Sequence, residues 1–85
     1  MRLLFEGLTP SGSKEKVRLD INRKEKRLVV FSSKTNYRPQ RLPWTYLFDK
    51  GKEEHQDQMT ETLNDKEFKA AIMIEMYNKG YTLRE

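Results

Sequence analysis

The stretch VRLDINRKEKRLVVF, residues 17–31, decides the architecture. Val17, Leu19 and Ile21 alternate with Arg18 and Asp20, the pattern of a strand with one buried face. Leu28-Val29-Val30-Phe31 is rich in β-branched and aromatic residues and reads as a second strand. The intervening Asn22-Arg23-Lys24-Glu25-Lys26 is wholly polar and short enough for a hairpin loop, so the two strands pair antiparallel. Upstream, Leu3-Leu4-Phe5 forms a third strand ending at Gly7. The turn chemistry of Thr9-Pro10-Ser11-Gly12-Ser13 then makes residues 1–33 a meander.

Downstream the chain changes character. Pro39 and Pro43 each lack a backbone donor and hold the preceding residue extended, which excludes a helix or a central strand from residues 34–43. Trp44-Thr45-Tyr46-Leu47-Phe48 regains strand character as a candidate fourth, edge strand, and residues 49–60 read as a solvated loop. A helix over residues 65–79 is bounded at both ends. Asn64 and Glu67 have capping-box spacing, Asp65 and Glu67 favour the start of the dipole, and Gly80 can adopt the left-handed stop. Phe68, Ala71, Ile72 and Met76 form one stripe, while Ala70, Met73, Ile74 and Tyr77 lie on the opposite side, so the middle of the helix is apolar nearly all round. The expected fold is α+β: a small antiparallel sheet with one C-terminal helix on one face. It forms a single domain over 1–85, comprising the meander (1–33), a proline-containing segment with a short strand and polar loop (34–63), and the helix with its tail (64–85). In architecture alone, three strands followed by a helix resembles small sheet-reading DNA-binding domains such as integrase arm-binding domains, from which the long inserted loop departs.

Composition narrows the function. Hydrophobic and charged residues each make up 35%, and the longest uninterrupted apolar run, residues 70–74, is too short for a membrane span. There is no cysteine, hence no disulfide framework or thiolate metal site, and the start MRLLFEG lacks a signal-peptide pattern. A cytoplasmic setting is expected. The net charge of +4 is unevenly placed: residues 1–50 carry 12 bases against five acids, and residues 51–85 five against eight. A polyanion would dock on the first half.

No motif names a reaction. His55 stands alone in Glu53-Glu54-His55-Gln56-Asp57 and supplies no convergent metal site; no glycine opens a phosphate-cradling helix; Ser11, Ser13, Ser32 and Ser33 have no identifiable base. The expectation is therefore a protein without catalytic residues, metal or cofactor. The candidate nucleic-acid contacts are Lys16, Arg18, Arg23, Lys24, Lys26, Arg27, Arg38 and Arg41, because clustered Lys and Arg replace the counterions of phosphates. In YRPQRLPW, residues 37–44, the aromatics Tyr37 and Trp44 read as core anchors, leaving the arginines for contact. The leading expectation is a small accessory protein that binds nucleic acid through a basic β-hairpin. The rival is an interaction module, an inhibitor or adaptor of a larger assembly, whose helix uses Met73 and Tyr77 toward a protein partner or a second copy.

Overall fold

The computed structural model describes residues 1–8, 10–43, 46 and 63–84. Among the described residues five strands and one α-helix make an α+β fold: β1 (Arg2–Leu8), β2 (Lys14–Asn22), β3 (Arg27–Ser32), β4 (Gln40–Leu42), α1 (Asp65–Asn78) and β5 (Tyr81–Leu83). The sheet order is β4-β3-β2-β1-β5, antiparallel throughout. The expected meander is its centre. Two short strands extend it beyond expectation. The edge strand on the β3 side is β4, between the two prolines, where one missing donor on each side is tolerated; the expected strand at 44–48 lies outside the described residues apart from Tyr46. The other edge is β5, a paired strand where only a tail is expected from sequence.

Alternation divides the sheet into two faces. Leu3 and Phe5 of β1, Val17, Leu19 and Ile21 of β2, and Leu28 and Val30 of β3 point to one side, where Phe68, Ile72 and Met76 of α1 seal them into one core. The helix begins with the expected capping box: the Glu67 amide donates to Asn64 Oδ1 at 2.8 Å and the Asn64 amide to Glu67 Oε1 at 3.2 Å. It ends before Gly80, whose φ of +94° permits the reversal into β5. The hairpin turn closes through the Lys26 amide on the Arg23 carbonyl and the Glu25 amide on Asn22 Oδ1, with Lys26 itself left-handed.

Gly7 explains how the last strand is held. It pairs with Glu15 on one side and Tyr81 on the other, and the Tyr81 ring lies over it. A Cβ at Gly7 would stand 2.6 Å from the ring and 2.8 Å from the Gly80 carbonyl, so only glycine lets Tyr81 cross β1. Beyond it the Tyr81 hydroxyl donates to Glu15 Oε1 at 2.6 Å.

Truncating fully buried Ile72 to Ala should cost about 2–5 kcal/mol, read as a lower urea midpoint. Gly7→Ala should cost about 1–3 kcal/mol through overpacking against Tyr81. An unchanged midpoint in either variant would refute the packing described.

Candidate nucleic-acid interface

Among the described residues α1 covers one face of the sheet, and the opposite face exposes Arg2, Lys16, Arg27 and Arg41. The register places its residues in cross-strand rows. Arg2, Asp20, Val29 and Arg41 form one row, and Leu4, Arg18 and Phe31 the next. Lys16 stands opposite Glu6, which faces Thr82 on its other side, and Lys14 opposite Leu8. With Arg27, and with Arg84 just beyond β5, this face carries, among the described residues, seven bases, Arg2, Lys14, Lys16, Arg18, Arg27, Arg41 and Arg84, and two acids, Glu6 and Asp20.

Both carboxylates are held between cations. Asp20 Oδ1 lies 3.1 Å from Arg2 Nε and 3.5 Å from Arg18 Nε, and Glu6 lies 3.8 Å from Lys14 and 3.5 Å from Arg84. Arg27 pairs with Glu25. Lys16 and Arg41 make no ion pair among the described residues. The Arg18 guanidinium stacks over the half-buried Phe31 ring at 3.9 Å, a cation–π contact that spreads a flat platform across β2 and β3. Beside it lies a cleft of about 680 Å³ whose lining includes Val29, Leu42, Arg2, Lys26, Arg27 and Arg41.

The eight bases selected from sequence thus fall in different places. Lys16, Arg18, Arg27 and Arg41 share the open face, Lys24 and Lys26 are exposed at the turn, and Arg38 is exposed in the connector. Arg23 has another position. Its guanidinium lies over the Phe68 ring at 4.3 Å, bonds to Asp65 at 3.1 Å and donates to the Leu63 carbonyl, leaving the side chain only 17% exposed. It ties the hairpin turn to the start of α1 because it is long enough to reach a helix N-terminus whose first-turn acid attracts it. Tyr37 also departs from expectation: it is 51% exposed with a φ of +59° and anchors no core, while Trp44 lies outside the described residues, as does His55. The sequence reading passed over Arg2, Arg84 and the Arg18–Phe31 stack. The apolar run Leu3-Leu4-Phe5 concealed the alternation that puts Arg2 and Leu4 on the open face.

A second polar cluster lies on the covered side. Glu15 is buried; Oε2 accepts from Ser32 Oγ at 2.6 Å, Oε1 from Tyr81, and Lys34 Nζ stands 3.8 Å away, beside a cavity of about 170 Å³. Burial pushes the Glu15 carboxyl up, but the hydroxyls of Ser32 and Tyr81 and the Lys34 charge outweigh it and hold it below its ordinary value. Burial and the Glu15 carboxylate push the Tyr81 phenol up to about 12. Among the described residues no group of three or more His, Cys, Asp or Glu could hold a metal ion, and no helix is long and apolar enough to cross a membrane.

On the helix, the candidate partner residues Met73 and Tyr77 are 37% and 69% exposed, so β5 does not cover Tyr77. With Ala70, Ile74 and Leu83 they line an open groove of about 480 Å³. No protein-family model, curated protein or solved structure matches this chain.

The Tyr81–Glu15 bond sets a pH window. A lowered carboxylate pKa contributes stability that is complete above the ordinary value and is lost as pH falls through the folded one. A raised phenol pKa contributes stability that is complete below ~10 and is lost as pH rises through the folded value. The difference in urea midpoint between the parent and Tyr81→Phe should therefore be largest between the two ordinary values, shrinking in acid and again as pH rises from ~10 to about 12. A difference independent of pH would show that the hydroxyl and carboxylate are not coupled.

Proposed function

We propose that this is a non-enzymatic accessory protein that binds nucleic acid through the open face of its sheet. The observation that carries this reading is the uncovered face with seven bases and two doubly paired acids. Such a face replaces counterions along a phosphate backbone, and its excess of positive charge attracts a polyanion from a distance. The non-enzymatic part of the proposal rests on Glu15, whose two carboxylate oxygens are both occupied by neighbouring hydroxyls in a structural tie.

A second reading has its own observation. Ile74 and Tyr77 are 62% and 69% exposed on a helix flank that no strand covers among the described residues, which suits an inhibitor or adaptor docking on a larger protein assembly. Salt separates the two. Phosphate contacts weaken steeply as salt rises, whereas an apolar interface barely responds.

Anisotropy titrations with labelled oligonucleotides over a salt series test the leading proposal. The double variant Lys16→Ala/Arg41→Ala removes two cations unpaired among the described residues. It should make the slope of log affinity against log salt shallower by about 1.4 units on a single strand or about 1.8 on a duplex, at roughly 0.7 and 0.9 per contact. Absence of binding by the parent protein to any nucleic acid at low salt would end this reading and leave the helix groove in its place.

A further inference from the structure

Resting on the nucleic-acid reading, we propose that the ligand is a single strand, laid across the sheet with a base on the Arg18–Phe31 platform and a neighbouring nucleotide in the cleft lined by Val29. Width is the first argument. The row Arg2–Asp20–Val29–Arg41 spans four strands. At ~4.8 Å per strand its outer axes are ~14 Å apart before side chains are counted. The major groove of a duplex is ~12 Å wide and admits a helix or a two-stranded ribbon. A face this broad cannot enter it, whereas a single strand can lie across the face with its bases splayed toward it.

The second argument is the layout of charge and apolar surface. The cleft is lined by the apolar Val29, Leu42 and Pro43 and by Arg2, Lys26, Arg27 and Arg41, with Asp20 as the one carboxylate among its described lining residues. A phosphate over Asp20 would be repelled, so the backbone follows the lining arginines and the base lies inward. At about 680 Å³ the cleft falls within the ~300–1,000 Å³ range of small-ligand sites. One step along β3 the Phe31 ring and the Arg18 plane present the aromatic and guanidinium surfaces on which unpaired bases stack. Duplex bases are already stacked and cannot use that platform. The requirement for unpaired bases is common to single-stranded DNA and RNA.

The experiment compares a mixed-sequence single-stranded DNA, the RNA of the same sequence and a hairpin duplex by anisotropy at low salt. At least one single strand should bind about tenfold or more tighter than the duplex. Phe31→Leu keeps apolar bulk in the strand but removes the flat ring. It should weaken single-strand binding by about 5- to 150-fold, the equivalent of ~1–3 kcal/mol per stacked base, with duplex binding unchanged. Circular dichroism of the same variant establishes that it folds, and Arg18→Lys, which keeps the charge but loses the plane, should show a loss in the same direction. Equal or tighter duplex binding would overturn the single-strand assignment while leaving the nucleic-acid reading intact. Full affinity of Phe31→Leu for the single strand would overturn the stacking platform. Failure of all three probes to bind would remove the broader reading instead.

Discussion

The structure depends on one constraint of area: among the described residues, a single α-helix of 14 residues is available to cover a five-stranded sheet. It can seal one face only. The fully buried apolar residues of β1, β2 and β3 are therefore gathered on that side, against Phe68, Ile72 and Met76, while Leu4, Val29 and Phe31 share the other side with its charges. The strand pattern and the charge pattern are two consequences of the same limit. A one-residue slip of β2 would put Arg18 and Asp20 into the core and expose Val17, Leu19 and Ile21, so the core also fixes which cations share the outer face.

A small sheet with a late final strand needs specific ties. Tyr81 meets Glu15 across 66 positions of chain, and β5 contributes only three residues to the ladder. Few backbone bonds are available to repay the closure of so long a connection. The phenol–carboxylate bond, made possible by the bare backbone of Gly7, supplies the missing specificity, and Ser32 brings β3 into the same network. Arg23 does the corresponding work at the other end, where it joins the hairpin turn to the first turn of α1. The helix is thus fixed at its start by a cation and just after its end by a tyrosine.

Much of this was legible in residues 17–31 and 64–80, where signals of different kinds agree. Strict alternation and a polar loop define the central hairpin; a cap, an apolar stripe and a glycine stop define the helix. What sequence could not show follows from its local character. The short strands β4 and β5 have little periodicity of their own and exist because neighbouring edges offer them partners. Arg23 was indistinguishable from Lys24 or Lys26 because a cation's use depends on what the fold brings within reach, and Asp65 is 42 positions away. The same applies to Tyr37, whose aromatic character suggested burial although a left-handed backbone turns it toward solvent. The open face was half legible. Its members on β2 follow from alternation, but Arg2, Arg41 and Arg84 join them only through the register of other strands.

That assembled face has an internal logic. Seven cations on one small surface repel one another, and an ordinary way to relieve this is to alternate signs evenly. The chain instead uses two carboxylates, each between two cations: Asp20 between Arg2 and Arg18, and Glu6 between Lys14 and Arg84. This places the relief inside the rows and leaves a net positive surplus, with Lys16 and Arg41 carrying no ion pair among the described residues. Exposed pairs of this kind contribute little to stability, so their arrangement matters chiefly for the field they leave. At physiological salt that field extends over ~8 Å, far enough to gather an anionic chain before contact is made. Asp20, itself among the residues lining the cleft, adds one carboxylate to these cations. On the proposed reading, the surrounding cations and this one carboxylate would together favour a ligand whose charge runs along one edge and whose flat, uncharged part lies inward, the form of a nucleotide strand with its bases unpaired.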